Sequence, residues 1–400
     1  MVDSSGHVLL SPARFALACT EDAMSAHQTV PAPRLRTVAN KTGLQHFQCD
    51  KMGPRRSFHD IVIVKATVTL SDDPVVAEKQ APILLADEPW EPGLTELSSL
   101  KYAGDAMLTK LHTDVIVTGT ARAPGGQPVP EWEAAVEVVR GSNTVLVSRA
   151  QVLGPRSWRH TDPKGWALTD PEPTLEVPIR YEMAYGGAYP ADEPAAGAPE
   201  PDPDAPPPAK WVMHPPNPSG TGFFDERAMD PAREYLAPQW QHRDHPVTMF
   251  NREVPLCGFG PVSRIWSSRL KLAGTYDTAW VKKTRAEAKE GVPADYAPDF
   301  DYRFFQCAHP ELIAKGYLEG DERILLRGLV PDGELRVAQL PRVSILAALV
   351  FGNGDRTVER LALDTVHVDV DKGTVDLSWR IALDHDRDVR TATLTLVNVL

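Results

Sequence analysis

Cysteine is scarce and long apolar runs are missing. The four thiols, Cys19, Cys49, Cys257 and Cys307, lie far apart in 400 residues, which excludes a dense disulfide framework and leaves no short spacing for a structural zinc site. The longest apolar run, 345–351, falls far below the roughly 20 residues that cross a bilayer, so no membrane-spanning helix is expected. Basic residues are in deficit, 42 against 54 acidic, and the net charge of -12 repels a phosphate backbone. Neither nucleic acid nor a membrane is therefore an expected partner. The first 25 residues place Asp3 ahead of any basic residue and Arg14 inside the apolar stretch, unlike a secretory leader, and a cytoplasmic location is the expectation.

Motifs for common chemistries are missing too. There is no G-x-x-x-x-G-K-[ST] to cradle phosphates, no H-E-x-x-H to hold zinc and no G-x-S-x-G elbow for a serine nucleophile. Gly258-Phe259-Gly260 and Gly352-Asn353-Gly354 each lack the third glycine of a dinucleotide fingerprint. No catalytic residue, cofactor-binding residue or metal ligand is assigned. His214, His242 and His245, with Asp244 beside them, carry one competing reading, a metal-dependent hydrolase with a loop-borne histidine cluster. The plainer reading is polar histidines on a proline-rich loop. Asp369 and Asp371 before Gly373 read as a turn and not as a calcium loop.

Proline, by contrast, is abundant: 37 in 400 residues, about 9% against a typical 5%. Long helices and central strand positions exclude it, so many turns follow. With 42% hydrophobic and 24% charged residues the chain has the material for a folded core. β-rich runs occupy 59–70, 114–121, 132–139, 144–152, 174–183, 323–329, 334–337, 365–370 and 374–379. From Lys65 onward the first run alternates, as a strand with one wet face would. Arg140-Gly141-Ser142-Asn143 and Asp371-Lys372-Gly373 predict hairpin turns. A helix is predicted over 278–290, capped by Asp277 and stopped by Gly291 and Pro293, and a second over 347–351.

The fold class is mainly β, a β-rich α+β protein with antiparallel sheets, few short helices and many Pro/Gly loops. Residues 1–40 read as a loosely ordered arm with a helical turn near 13–18, 41–188 as an N-terminal β-rich lobe and 211–400 as a C-terminal one. The acidic, proline-rich 189–210 between them reads as an extended loop. Aromatic and glycine clusters stand out: Tyr181, Tyr185, Trp266, Tyr276, Trp280, Phe300, Phe304 and Phe305. Such rings are expected to make the packed centre, with Arg264, Arg269 and Arg303 pairing to Asp277, Asp299 or Asp301. An aromatic binding groove is the alternative.

Taken in order, short motifs carry a resemblance. They are V-K-A-T at 64–67, T-D-V at 113–115 and Y-E-x-A-Y-G-G with Tyr181, Glu182, Gly186 and Gly187. N-P-x-G-x-G-F follows with Asn217, Pro218, Gly220, Gly222 and Phe223, then G-F-G-P with Gly258, Phe259, Gly260 and Pro261, trailed by Trp266 and Arg269. A-G-T-Y-D supplies Gly274, Thr275, Tyr276 and Asp277, and P-D-F-D-x-R-F-F supplies Asp299, Phe300, Arg303, Phe304 and Phe305. G-Y-L-x-G-D-E at 316–322 and L-D-T-V at 363–366 complete the series. Over about three quarters of its length the chain thus resembles the bacterial domain of unknown function 2169 family. The resemblance implies a non-enzymatic adaptor or chaperone of the type VI secretion system. Its partners would be a cognate effector and the VgrG spike with its PAAR tip, and it has no catalytic residues to carry over. An effector in its own right is the remaining alternative.

Overall fold

Twelve residues rich in β-branched side chains, Phe58–Thr69, form the longest strand among the described residues. The structure is a computed structural model that describes residues 35–94, 97–191, 211–250, 252–330 and 335–398. In chain order the strands that frame it are β1 (Thr37–Asn40), β2 (Gln45–Met52), β3 (Phe58–Thr69), β4 (Asp114–Thr118), β5 (Glu131–Arg140), β6 (Asn143–Leu153) and β7 (Trp240–Gln241). Then follow β8 (Arg323–Arg327), β9 (Arg336–Gln339), β10 (Val343–Phe351), β11 (Arg356–Arg360), β12 (Ala362–Asp369), β13 (Thr374–Asp384) and β14 (Val389–Asn398). The α-helices among the described residues are α1 (Ser267–Leu270) and α2 (Thr278–Lys289).

Three sheets dominate. The first has the order β2-β3-β13-β12-β4, the second β7-β6-β5-β8-β9 and the third β1-β14-β10-β11. Within these three sheets pairing is antiparallel except for β4 on β12 and β1 on β14. Both predicted hairpins are present, β5 with β6 across Gly141 and β12 with β13 across Gly373, and each glycine takes the left-handed conformation its turn requires (φ 59° and 64°).

This topology joins the N-terminal and C-terminal β-rich halves in shared sheets. β3 pairs with β13 across more than 300 positions of sequence, with Lys65 opposite Ser378 and Thr67 opposite Asp376. β5 likewise pairs with β8, Val138 opposite Ile324. One apolar cluster runs through all three sheets, including Val62, Val64, Val136, Ile324, Ile345, Leu349 and Leu394. Each such side chain, once fully buried, contributes about 1.5–3 kcal/mol.

Other expectations change. The run 347–351 is strand and not helix: Ile345, Ala347 and Leu349 are buried at period two in β10, between β14 and β11. The second half of β3 has no wet face, because Lys65 and Thr67 are buried on polar partners. The run 114–121 breaks at Gly119 (φ 121°), and 174–183 gives only Glu176–Pro178 followed by a 3-10 turn at Tyr181–Met183. The arm is ordered from Leu35, which is buried, through β1; the helical turn near 13–18 lies outside the described residues. Of 189–210, Tyr189 and Pro190 belong to a strand, Ala188–Pro190, paired with Trp211–Met213, while 192–210 lie outside the described residues. Glu334 also lies outside them. The rings are not the centre. Of those named for it, Tyr276, Phe300, Phe304 and Phe305 pack with Ile61 and Ile63, Tyr181 and Trp266 with Val262, and Tyr185 with Trp158, in satellite clusters beside the aliphatic core.

Candidate functional site

α2 begins as its sequence requires. The Asp277 carboxylate accepts from the Trp280 N–H at 2.8 Å, and Gly291 (φ 76°) follows its end. No residue of α2 is fully buried; Trp280, Val281, Thr284 and Glu287 are half-buried along one face, while Lys282, Lys283, Arg285 and Lys289 are exposed. The helix is therefore held by its termini and by a few side-chain ties, and not by a packed stripe.

Two family motifs build the site beside it. Asp299, from P-D-F-D, accepts from the Thr275 N–H at 2.8 Å and its hydroxyl at 2.7 Å. The Thr275 N–H and then its hydroxyl lower the Asp299 carboxyl below its ordinary value. Gly274 (φ 91°) permits the approach, since a Cβ there would lie 2.7 Å from both the Ala297 Cβ and an Asp299 oxygen. Beyond the clamp, rings pack edge to face: Tyr276 on Trp280 at 4.6 Å, Tyr296 on Phe300 at 4.5 Å and Phe300 on Tyr302 at 5.8 Å between centroids.

The opposite wall is a turn at Gly53-Pro54-Arg55-Arg56. Both arginines are left-handed, with φ 60° and 56°, a conformation that costs a residue with a Cβ about 1–2 kcal/mol. Arg56 points inward: it pairs with Glu287 of α2, donates from Nε to the Pro293 carbonyl at 2.9 Å and from its backbone N–H to Asp295 at 3.3 Å. Arg55 is exposed, and its guanidinium forms no ion pair among the described residues. Turn, helix and aromatic ridge enclose an open groove of about 660 Å³ whose lining includes Arg55, Trp280, Lys283, Tyr296, Phe300 and Tyr302.

Beneath the first sheet lies a second convergence of motifs. V-K-A-T supplies Lys65, 2.8 Å from Asp105; T-D-V supplies Asp114, 2.8 Å from Lys110; L-D-T-V supplies Asp364, 2.5 Å from Arg380. Asp114 also accepts from the Gln306 amide and the Cys307 N–H, each at 2.7 Å. Burial opposes charge on Lys110, yet Asp114, Cys307 and Asp364 prevail and hold its pKa above the ordinary value. Burial pushes the Cys307 thiol up to about 12. The cavity here is only about 20 Å³, room for a single water, so these pairs brace the sheet against the segment 82–113.

The remaining predicted residues are architectural. Tyr181 donates to the Gly260 carbonyl at 2.9 Å, meets Trp266 at 5.0 Å and lies where a Cβ on Gly258 would come within 2.7 Å of its ring. Asn217 donates to the Tyr181 and Tyr185 carbonyls, and a Cβ on Gly186 or Gly220 would collide with its carbonyl or amide. Glu182 accepts from Ser99, Phe223 stacks on Tyr189 and Phe259 meets Trp240. Gly187 and Gly222 are left-handed, Pro218 is buried and Pro261 borders the small cavity. The arginine pairings are partly corrected. Arg303 does pair with Asp301 at 2.5 Å, but Arg264 pairs with Asp87, and buried Arg269 donates to the Phe304 and Val262 carbonyls. His214 packs against Tyr185 and Phe223. His242 and His245 face each other across a turn and not along a helix, and His242 shares the Leu256 carbonyl with His309. Among the described residues, no group of three or more His, Cys, Asp and Glu is placed to hold a metal.

Arg55, Arg56, Glu287, Asp295, Tyr296 and Tyr302 were not legible as site residues. Their one sequence signal is Gly53-Pro54 ahead of two arginines, a turn whose partner lies more than 200 residues away. No helix of the described residues is long and apolar enough to cross a membrane. Comparison with curated proteins and with solved structures gives no match. The family comparison does: the profile described as an uncharacterized protein conserved in bacteria covers residues 56–380, a span holding the clamp, most of the braced sheet and the groove apart from Pro54 and Arg55, and the chain belongs to that family, DUF2169.

Proposed function

We propose that the protein is a non-enzymatic adaptor or chaperone of the type VI secretion system, acting in the bacterial cytoplasm. It would bind a cognate effector and help to load it onto the VgrG spike with its PAAR tip. The observation that carries this reading is the groove, where partly exposed aromatic side chains stand beside an arginine that has no ion pair among the described residues, the composition of a protein-binding hot spot. Aromatic anchors with arginine supply affinity through buried area and need no bond-making groups. An adaptor also has to let go, so its affinity must differ between the unloaded effector and the assembled spike; equal affinity for both would drive nothing.

The test is co-purification of the chain with the protein encoded beside it, followed by measurement of effector on the spike in cells lacking this chain. Formation of a complex and loss of effector from the spike are the expected results. Unchanged loading with no complex at micromolar concentration would sink the proposal, as would turnover of a substrate by the pure protein.

A further inference from the structure

We infer that the groove takes an extended, acidic, proline-containing segment of the partner polypeptide; the inference rests on the groove being the partner site. Three observations converge on that chemistry. The first is shape. A trough of about 660 Å³ open along one side suits a length of chain better than an enclosed small molecule. Its rings meet edge to face, Tyr296 on Phe300 and Phe300 on Tyr302, and so present apolar surface along the trough on which pyrrolidine rings can pack. A polyproline II segment is already extended and loses little entropy on binding, so a shallow aromatic surface suffices to hold it.

The second is charge. Both carboxylates of the groove, Glu287 and Asp295, are engaged from within by Arg56. The cations are not consumed in the same way: Arg55 stands at the lip with no ion pair among the described residues, and Lys283 lies 3.8 Å from a Glu287 that Arg56 already holds. These two exposed cations on a chain of net charge -12 complement acidic side chains on an extended ligand. A guanidinium at the lip would pair with a carboxylate while the prolines occupy the floor.

The third is strain. Arg55 and Arg56 are consecutive non-glycine residues in the left-handed region. Arg56 has a structural use for that geometry, whereas the Arg55 guanidinium makes no ion pair among the described residues, so the conformation that displays Arg55 is explained by something it meets from outside.

The experiment is fluorescence anisotropy on the full chain with a labelled twelve-residue peptide of alternating proline and Asp/Glu. Controls replace the acids by lysine, or the prolines by glycine, and a labelled oligothymidylate tests for single-stranded nucleic acid. The acidic proline peptide should saturate in the micromolar range, at least tenfold tighter than either control peptide. Arg55→Glu should weaken it at least tenfold while leaving the thermal transition in place. Equal binding of the lysine peptide, tighter binding of the oligothymidylate, or indifference to Arg55→Glu overturns the inference. Capture of the neighbouring effector by Trp280→Ala and Arg55→Glu variants separates the two levels. If capture falls but the acidic proline peptide never binds, the groove is the partner site and the ligand chemistry inferred here is wrong. If capture is unaffected by either variant, the groove reading fails with it.

Discussion

Asp299 holds Thr275 with both carboxylate oxygens, one on the backbone N–H at 2.8 Å and one on the hydroxyl at 2.7 Å. The pair ties the loop that starts α2 to the loop that carries the aromatic ridge. α2 buries no residue fully, so its position depends on such ties more than on packing. Replacing Asp299 by Ala should therefore release 274–290 while the sheets stay intact. Hydrogen exchange should show lost protection in α2 and unchanged protection in β3 and β13. Because the folded carboxyl is held below its ordinary value, the tie persists above that range and is lost only as pH falls through the lowered pKa. Global unfolding of the Ala variant would contradict this division of labour.

Arg55 gives a prediction of opposite sign for stability and binding. Its left-handed backbone costs on the order of 1–2 kcal/mol for a residue with a Cβ. Glycine removes that cost but brings back roughly 0.5–1 kcal/mol of backbone entropy. Arg55→Gly should therefore be slightly stabilising, by up to about 1 kcal/mol in urea unfolding, while partner affinity falls. A variant that is destabilised, or that binds as before, would mean that the turn is not strained for display.

Lys110 tests the buried braces. Its ammonium lies 2.8 Å from Asp114 with both groups almost wholly out of water. Lys110→Met strands that carboxylate and deprives Asp364 of a nearby cation, so the expected loss is about 3–5 kcal/mol. Adding Asp114→Asn removes the stranded charge while keeping an acceptor for the Cys307 N–H, and about half of the loss should return. Equal unfolding midpoints for the single and double variants would argue that the pair is weakly coupled.

These cases show which features a linear reading can reach. The caps of α2 and the turns at Gly141 and Gly373 were legible because their signals and their consequences sit within a few residues. β10 was misread because Leu346, Ala348 and Val350 fill the positions between its buried Ile345, Ala347 and Leu349, which hides the period of two. The partners of Lys65 and Arg264 were out of reach, 40 and 177 positions away. The pairing of the two halves was out of reach for the same reason: nothing local tells β3 that its neighbour is β13. Of the groove, the motifs supplied one wall and its clamp, and the arginine turn came only with the fold.

His214 makes the sharpest pH prediction. Its ring is buried between Tyr185 and Phe223, and neither nitrogen meets a hydrogen-bond partner among the described residues. Burial lowers its pKa to about 4 from an ordinary 6.5. Between those values the unfolded chain binds a proton that the folded chain refuses, so stability falls as pH drops from about 6.5 to about 4 and is unaffected by this group above that window. The shift corresponds to a loss on the order of 3 kcal/mol at the acid end. His214→Phe keeps an aromatic ring against Tyr185 and cannot titrate. The slope of unfolding free energy against pH near 5 should then decrease by about one proton, with the His367 contribution left in place because burial also lowers that group to about 4. An unchanged slope in urea titrations at several pH values would mean that His214 finds water or a partner in solution that satisfies its charged form.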